Sequence, residues 1–236
     1  MARVDVRDRL IVALDLPTWD EAQRLVAQLD GLVSFFKVGL ELYTASGRAA
    51  VEALSGTGKQ IFLDLKLFDV PETVKRATRA AAAQRVRFLT VHEGGATVAA
   101  AVEGAQGSSL EVLAVTVLTS MDAQDMREMG CSLPLPELVL HRARRAQAAG
   151  AAGVIASPEE VAAIKRATGG KLLVITPGIR PAGAAAGDQK RLATPAAAIA
   201  AGADYLVVGR PIKAAPDPRA AAAAILEEMQ AAFDRG

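Results

Sequence analysis

Short apolar runs alternate with longer mixed stretches along the whole chain. The runs are four to eight residues long and consist mainly of Val, Ile, Leu and Phe. Runs of this length and composition, bounded by polar or turn residues, are typical of strands buried on both faces of a parallel sheet. The stretches between them are rich in Ala, Leu, Glu and Arg, which favour α-helices. The pattern therefore predicts repeated strand–helix units.

Eight such units follow one another. The predicted strands cover residues 10–14, 35–38, 61–65, 88–91, 111–118, 153–156, 172–176 and 205–208. The predicted helices cover residues 18–29, 40–54, 72–84, 96–105, 136–149, a segment that begins at Pro158, 195–201 and 218–233. Eight consecutive units predict an α/β fold, an eight-stranded parallel (β/α) TIM barrel that forms a single domain over residues 1–236. An open doubly wound sheet is disfavoured, because no Gly-x-Gly-x-x-Gly follows the first strand.

Two helix starts carry recognisable capping residues. Thr18 is an N-cap residue, and Glu21 stands at the position that completes a capping box. Ser157 precedes Pro158, which is the preferred first residue of a helix. The segments 121–135 and 177–191 are predicted to be loops.

The composition of the chain argues against several classes of function and of binding site. The chain is 51% hydrophobic and carries a net charge of +1, which argues against a general nucleic-acid or acidic-membrane binder. Cys131 is the one cysteine, so the chain cannot form an internal disulfide; this fits a reducing, cytoplasmic location, and we interpret Cys131 as an incidental thiol. The first nine residues are too charged for a signal peptide. With His92 and His141 as the only histidines, a zinc site is disfavoured, although composition leaves an oxygen-ligated magnesium open.

Charged residues stand at or just beyond the ends of the first three predicted strands. Asp15 ends the first strand, Lys37 lies on the second, and Asp64 and Lys66 end the third. On a regular strand, Asp64 and Lys66 project from the same face. Asp69 follows just beyond. In a barrel the catalytic groups lie at the C-terminal ends of the strands, so an array of two lysines and three aspartates is predicted there. The structural alternative is an ion network that only caps the barrel.

Such an array has a definite chemical use. Neighbouring carboxylates hold Lys66 as an ammonium, which both donates a proton and stabilises a developing carbanion. A fixed carboxylate such as Asp64 repels an anionic group bound beside it and favours its departure. A Schiff base at Lys66 would instead need a lowered pKa, which the flanking aspartates oppose.

The last two strands are followed by residues that suit a phosphate group. Gly209 and Arg210 end the eighth strand, where barrels of this type usually bind phosphate. Arg180 follows the seventh strand, and Gln189 lies further along the same long loop, which is long enough to act as a lid. We predict Arg191, like the lysine before it, to be a surface charge.

The chain resembles orotidine 5′-phosphate decarboxylases of the bacterial form over essentially its whole length, because it carries a set of short segments in the order found in that family. The matching segments are ALD at 13–15, FKVG at 36–39, DLKLFDVP at 64–71 with Thr73, VLTSM at 117–121, PGIRP at 177–181, DQKR at 188–191 and VGRPI at 208–212. The Asp-x-Lys-x-x-Asp core is shared with sugar-phosphate enzymes, whereas the ordered set is specific to this family.

The resemblance implies a role for each residue of the array. Lys66 would protonate C6 of the pyrimidine as carbon dioxide leaves, and Asp64 would lie against the substrate carboxylate. Lys37 and Asp15 would contact the ribose hydroxyls. Asp69 would reach, together with Thr73, into the partner subunit's site, so that the enzyme is a homodimer.

The resemblance also implies the remaining contacts to a nucleotide monophosphate. Thr119 would contact the base, and Gln189 would bridge base and phosphate. The phosphate would further be held by Arg180, Gly209 and Arg210. No cofactor, metal, nucleic acid or membrane is implied. Departures from the family pattern are Glu72 and Glu93, and the sequence Gly-Asp before Gln189.

Three further interpretations remain. His92 ends the fourth strand and is interpreted as a structural histidine at the barrel rim. One alternative function is a metal-dependent sugar-phosphate aldolase or decarboxylase of the same superfamily, in which Asp64 and neighbouring acids bind magnesium. Another is a non-catalytic barrel that binds nucleotides as a sensor.

Overall fold

The chain folds into a closed barrel of eight parallel strands in sequential order, which confirms the predicted fold class. The computed structural model describes residues 5–181 and 191–235. The strands are β1 Leu10–Ala13, β2 Phe35–Gly39, β3 Gln60–Leu67, β4 Phe88–His92, β5 Glu111–Val115, β6 Gly153–Ile155, β7 Leu173–Thr176 and β8 Tyr205–Val208. β8 pairs with β1, with Ile11 opposite Val207, and this pairing closes the barrel.

Helices cover the outside of the barrel. They are α1 Trp19–Gln28, α2 Leu40–Ser55, α3 Pro71–Ala82, α4 Ala96–Ala105, α5 Ala123–Glu128, α6 Leu135–Ala148, α7 Val161–Ala167, α8 Pro195–Ala200, α9 Arg210–Lys213 and α10 Pro218–Phe233. Within the described ranges, no helix combines the length and the apolar content needed to cross a bilayer.

Most predicted elements are present, and both predicted cap residues accept a backbone N–H, although α1 forms only the Thr18 half of the expected capping box. The Thr18 hydroxyl accepts a hydrogen bond from the Glu21 N–H at the start of α1. Ser157 caps a short 3₁₀ turn over Pro158–Glu160, and the α-helix itself begins only at Val161.

Two predictions about chain segments are wrong. The strand predicted at 111–118 ends at Val115, because the apolar pattern that continues through Val117 reflects burial against the core rather than strand pairing. The predicted loop 121–135 contains α5, whose capping box is formed by Asp122 and Asp125. An aspartate takes the role of the glutamate that the usual pattern requires, so the signal was missed.

Two layers of apolar side chains fill the structure. One lies between the outer faces of the strands and the helices, and the other fills the barrel interior. Phe35, Phe62, Phe88 and Tyr205 dominate the interior, with ring centroids 5.3–6.0 Å apart. Three of these four ring pairs are packed edge to face, and the rings occupy the lower part of the barrel. Open space in the interior lies near the C-terminal ends of the strands.

Candidate active site

A cavity of about 600 Å³ opens at the C-terminal end of the barrel. Its floor is formed by inward-facing apolar residues such as Phe62, Val115 and Val207, and its walls by the segments that follow the strands. Cavities of this volume are typical of small-molecule sites, and this end of the barrel is where such enzymes carry their catalytic groups.

Four charged side chains line one wall in an alternating row. The Lys37 Nζ atom lies 2.8 Å from Asp15 Oδ1 and 3.4 Å from Asp64 Oδ2. The Lys66 Nζ atom lies 2.9 Å from Asp64 Oδ1. The strand ends thus bring together Asp15, Lys37, Asp64 and Lys66, which we call the charge array.

Lys66 reaches the charge array through an irregular backbone. Pairing between β3 and β4 is regular up to Leu63, shifts in register, and resumes at Leu67. Lys66 lies within this break and has φ of +50°, a left-handed conformation that is uncommon for a residue with a side chain. The Thr90 hydroxyl, which sequence reasoning missed, accepts the Lys66 N–H at 2.9 Å and donates to Asp64 Oδ1 at 2.8 Å. Regular strand alternation therefore correctly predicted that the side chains of Asp64 and Lys66 meet, but the backbone that brings them together is irregular.

The charge array keeps its inner members ionised despite their burial. Burial raises the pKa of Asp64, but the ammonium groups of Lys37 and Lys66 and the hydrogen bonds from Lys66 and Thr90 outweigh it and hold the pKa below its ordinary value. Burial likewise lowers the pKa of Lys37, but Asp64 and Asp15 outweigh it and hold that pKa above its ordinary value. The result is a row of fixed alternating charges in which the Lys66 ammonium faces the cavity.

Gly39 at the end of β2 makes room for the charge array. A Cβ atom there would lie 2.6 Å from Asp15 Oδ1 and 2.8 Å from Lys37 Nζ, closer than such atoms approach. The absence of a side chain at this turn is what lets these two groups meet directly above the backbone.

A second group of residues, most of them cationic, also lines the cavity. Arg180, Gly209 and Arg210 all line it, as the sequence predicted. Lys213 lines it as well and donates a hydrogen bond to the Asp15 carbonyl. Lys213 was missed because the four-residue helix α9 has no side-chain N-cap and was not predicted. In this helix Arg210 and Lys213 are three residues apart and therefore share a face. Thr119 also lines the cavity, whereas Gln189 lies outside the described residues.

Asp69 and Thr73 do not join the cavity of their own chain. Both are exposed, and Asp69 Oδ1 accepts the N–H of Val70 at 2.6 Å. The apolar side chains on either side of Asp69 are unusually exposed for their size: Phe68 is 69% exposed and Val70 63%. Of the five charged residues predicted to form one array, four meet within one chain, and Asp69 does not join them.

The prediction that Arg191 is a surface charge is wrong. Arg191 is 6% exposed, forms an ion pair with the equally buried Glu160, and donates to the Leu118 carbonyl at 3.0 Å. The chain enters the barrel rim here, where Glu160 at the end of the 3₁₀ turn supplies the compensating charge. A buried arginine needs such a partner, and no local sequence pattern pairs residues 31 positions apart.

His92 and Glu93 lie at the rim beside the cavity rather than in its lining. The His92 ring is half-buried against Phe68, with centroids 6.0 Å apart. Burial, and then the positive charges of Lys66 and Arg142, lower the pKa of His92. The buried Glu93 side chain is paired with Arg145 at 3.3 Å. Across residues 5–181 and 191–235, no three His, Cys, Asp or Glu side chains converge as metal ligands would.

Comparison with known proteins gives a consistent result. The model of the "Orotidine 5'-phosphate decarboxylase / HUMPS family" matches residues 8–225. An orotidine 5′-phosphate decarboxylase of Afipia carboxidovorans is 53% identical over 226 residues, which cover 96% of each chain. One of Rhodopseudomonas palustris is 52% identical over 98% of this chain and 99% of its own. The crystal structure of orotidine 5′-phosphate decarboxylase from Lactobacillus acidophilus has a TM-score of 0.83 and 39% identity, and covers 94% of this chain and 99% of that chain.

Proposed function

The chain belongs to the orotidine 5′-phosphate decarboxylase / HUMPS family, and on that premise we propose that it converts orotidine 5′-phosphate to uridine 5′-phosphate and carbon dioxide, a step of pyrimidine biosynthesis. The observation that carries the proposal is the charge array in a cavity that is also lined by Arg180 and Arg210. A nucleotide with an anionic tail and a carboxylate on its base fits this division of charge. The single cysteine supports a cytoplasmic location.

The cationic side of the cavity suits the phosphate. Arg180 and Arg210 offer forked donors, and Gly209 lets backbone amides approach an anion. Thr119 lines the same cavity and would contact the base. Gln189 is proposed to bridge base and phosphate. Binding energy from the phosphate, remote from the reacting carbon, can hold the base in place for the chemical step.

The charge array would perform the chemical step. Asp15 and Lys37 would hold the ribose hydroxyls, and Asp64 would lie against the substrate carboxylate. The bond between C6 and the carboxylate carbon breaks, carbon dioxide leaves, and the electron pair stays on C6. The Lys66 ammonium stabilises this carbanion and then gives it a proton, and the resulting amine takes a proton from water. The step as written uses no cofactor.

The test is the loss of orotate absorbance when the purified protein meets orotidine 5′-phosphate in the presence of excess chelator. We expect turnover, and we expect Lys66→Ala to abolish it while binding of uridine 5′-phosphate and the unfolding transition persist. Near-normal activity of Lys66→Ala would contradict the assignment. Turnover that the chelator abolishes would favour the metal-dependent alternative, and binding of uridine 5′-phosphate without any turnover would favour the sensor.

We further propose that two chains form a homodimer in which Asp69 and Thr73 complete the partner's site. Two observations support this. Asp69 and Thr73 are exposed and do not line their own cavity, and the apolar side chains of Phe68 and Val70, on either side of Asp69 in the chain, are exposed as well. Covering such side chains in an interface removes apolar surface from water.

Mixing two inactive variants tests this sharing of residues. Lys66→Ala and Asp69→Ala are each expected to be inactive, because each dimer then has two defective sites. After the two are unfolded and refolded together, random pairing leaves one unaltered site in half of the dimers, so about a quarter of wild-type activity should return. If no activity returned although analytical ultracentrifugation showed dimers, the proposal that the two subunits share residues between their sites would be contradicted.

A further inference from the structure

Building on the proposed decarboxylation, we propose that Thr90 is a positioning residue that holds the Asp64 carboxylate and the Lys66 backbone in their reacting arrangement. Thr90 does not line the cavity and is not expected to touch the substrate. It would act on the reaction only through these two residues.

The hydroxyl of Thr90 has both of its hydrogen-bonding roles assigned. It is fully buried, accepts the Lys66 N–H at 2.9 Å, and donates to Asp64 Oδ1 at 2.8 Å. Because an ionised carboxylate can only accept, the hydroxyl proton has to lie on the bond to Asp64. One hydroxyl therefore connects the backbone of the proton donor to the carboxylate beside it.

The break in strand pairing explains why a side chain is needed here. The ladder pairs Leu63 with Leu89 and next pairs Leu67 with Val91. Three residues of β3 therefore lie opposite one residue of β4, and that residue is Thr90. The ladder provides no backbone acceptor for the Lys66 N–H in this interval, and a buried N–H without a partner is costly. The Thr90 hydroxyl supplies the acceptor and so stabilises the left-handed conformation of Lys66.

The same hydroxyl limits rotation of the Asp64 carboxylate. Oδ1 accepts from Thr90 and from Lys66 Nζ, while Oδ2 faces Lys37 at 3.4 Å. Without the hydroxyl, Oδ1 keeps only the Lys66 ammonium as a donor, and the Lys66 backbone loses its acceptor. Both reacting groups then move, whereas the residues proposed for the phosphate, which do not contact Thr90, keep their positions. The loss should therefore appear in kcat much more than in KM.

Thr90→Val and Thr90→Ser separate the hydroxyl from the shape of the side chain. We expect Thr90→Val to lower kcat about 10- to 100-fold, since small misplacements of reacting groups have effects of this size, with KM within about threefold of wild type. Thr90→Ser keeps the hydroxyl and should stay within about threefold of wild type in both constants. Thr168→Val is the matched control: Thr168 is 4% exposed, and its hydroxyl donates to the Ile164 carbonyl far from the cavity.

Hydrogen exchange of the Lys66 amide gives a readout that needs no turnover. It should be faster in Thr90→Val than in wild type and in Thr90→Ser, whereas Thr168→Val should leave it unchanged. The inference is overturned if Thr90→Val keeps wild-type kcat, if Thr90→Ser loses as much kcat as Thr90→Val, or if the amide exchanges equally in all variants. Failure of the proposed function looks different, because wild type itself would then show no decarboxylation.

Discussion

Lys37 and Asp64 are 7% and 9% exposed and remain charged because each lies between groups of opposite sign. Removing charges from water costs several kcal/mol per ion, and pairing them inside a protein often fails to recover that cost. A row of buried alternating charges is therefore a poor device for stability alone. Its position in the wall of a cavity indicates that it serves the chemistry there.

The charge array also acts on His92, and this gives a prediction that needs no substrate. The pKa of His92 should lie below 6.5, because burial and the positive charges of Lys66 and Arg142 disfavour its protonation. Lys66→Ala removes one of these charges, so the pKa should rise towards its ordinary value. The measurement is a titration of the imidazole C–H signals by NMR, with His141→Gln to assign the two histidines.

Lys59→Ala is the control for this titration, because it removes an ammonium that pairs with Asp30 away from His92. An unchanged His92 pKa in Lys66→Ala would contradict the arrangement of the two residues.

The lowered pKa of His92 also fixes how its contribution to folding stability depends on pH. Since the unfolded chain takes up this proton at higher pH than the folded chain, the contribution of the neutral His92 is complete above pH 6.5 and is lost as the pH falls below it.

At the scale of elements, short irregular segments at the ends of strands place the functional groups. β2 ends at Gly39, which leads directly into α2 and leaves room for the charge array. β3 shifts in register before Leu67, which directs Lys66 into the cavity. β8 is followed by α9, which places Arg210 and Lys213 on the cavity wall. The regular parts of these strands provide a rigid base, and the departures from regularity at their ends direct the side chains.

Gly39→Ala tests the close approach at the end of β2. The new methyl group would displace the ends of the Asp15 and Lys37 side chains, which are flexible enough to move without disturbing the fold. We expect kcat/KM for orotidine 5′-phosphate to fall about 10- to 100-fold, while the free energy of unfolding in urea changes by less than about 1 kcal/mol.

The control is Gly56→Ala, at the end of α2, where φ is −61° and an added Cβ lies at least 3.4 Å from its neighbours. It should leave both quantities close to wild type. If Gly39→Ala unfolded the protein while Gly56→Ala did not, the glycine would be needed for folding rather than for the charge array.

At the scale of the whole molecule, the two ends of the barrel have different tasks. The N-terminal end is closed by Arg87, whose guanidinium donates to Tyr205 Oη at 2.6 Å and to Gln60 Oε1 at 2.5 Å. The same group lies 5.0 Å from the centroid of the Phe88 ring and 5.6 Å from that of Phe35. Polar and cation–π contacts thus seal the aromatic floor, while the charged cavity lies at the opposite end.

Arg87→Met should therefore reduce stability and leave activity intact. We expect the free energy of unfolding in urea to fall by about 1–3 kcal/mol, because the buried Tyr205 and the partly buried Gln60 lose a hydrogen-bond donor. The kcat/KM for orotidine 5′-phosphate should stay within about twofold of wild type. Arg166→Met, on the exposed side of α7, is the matched control and should leave both unchanged. A large loss of kcat/KM in Arg87→Met would show that the two ends are coupled.

The amino-acid sequence by itself determined the order of elements, the barrel and the positions of Asp15, Lys37, Asp64 and Lys66 at strand ends. It could do so because apolar periodicity is local, and because parallel strands bring their C-terminal ends together at one end of a barrel. Only the tertiary structure decided what supports these groups.

The partnership of Thr90 with Asp64 and Lys66, the left-handed backbone of Lys66 and the burial of Arg191 beside Glu160 all depend on contacts between residues 24 to 31 positions apart. Such contacts are set by the shift in register between neighbouring strands and by how the segments at the rim pack. A local sequence pattern predicts neither the register shift nor the packing at the rim, because the interactions that select them form only once the barrel has closed.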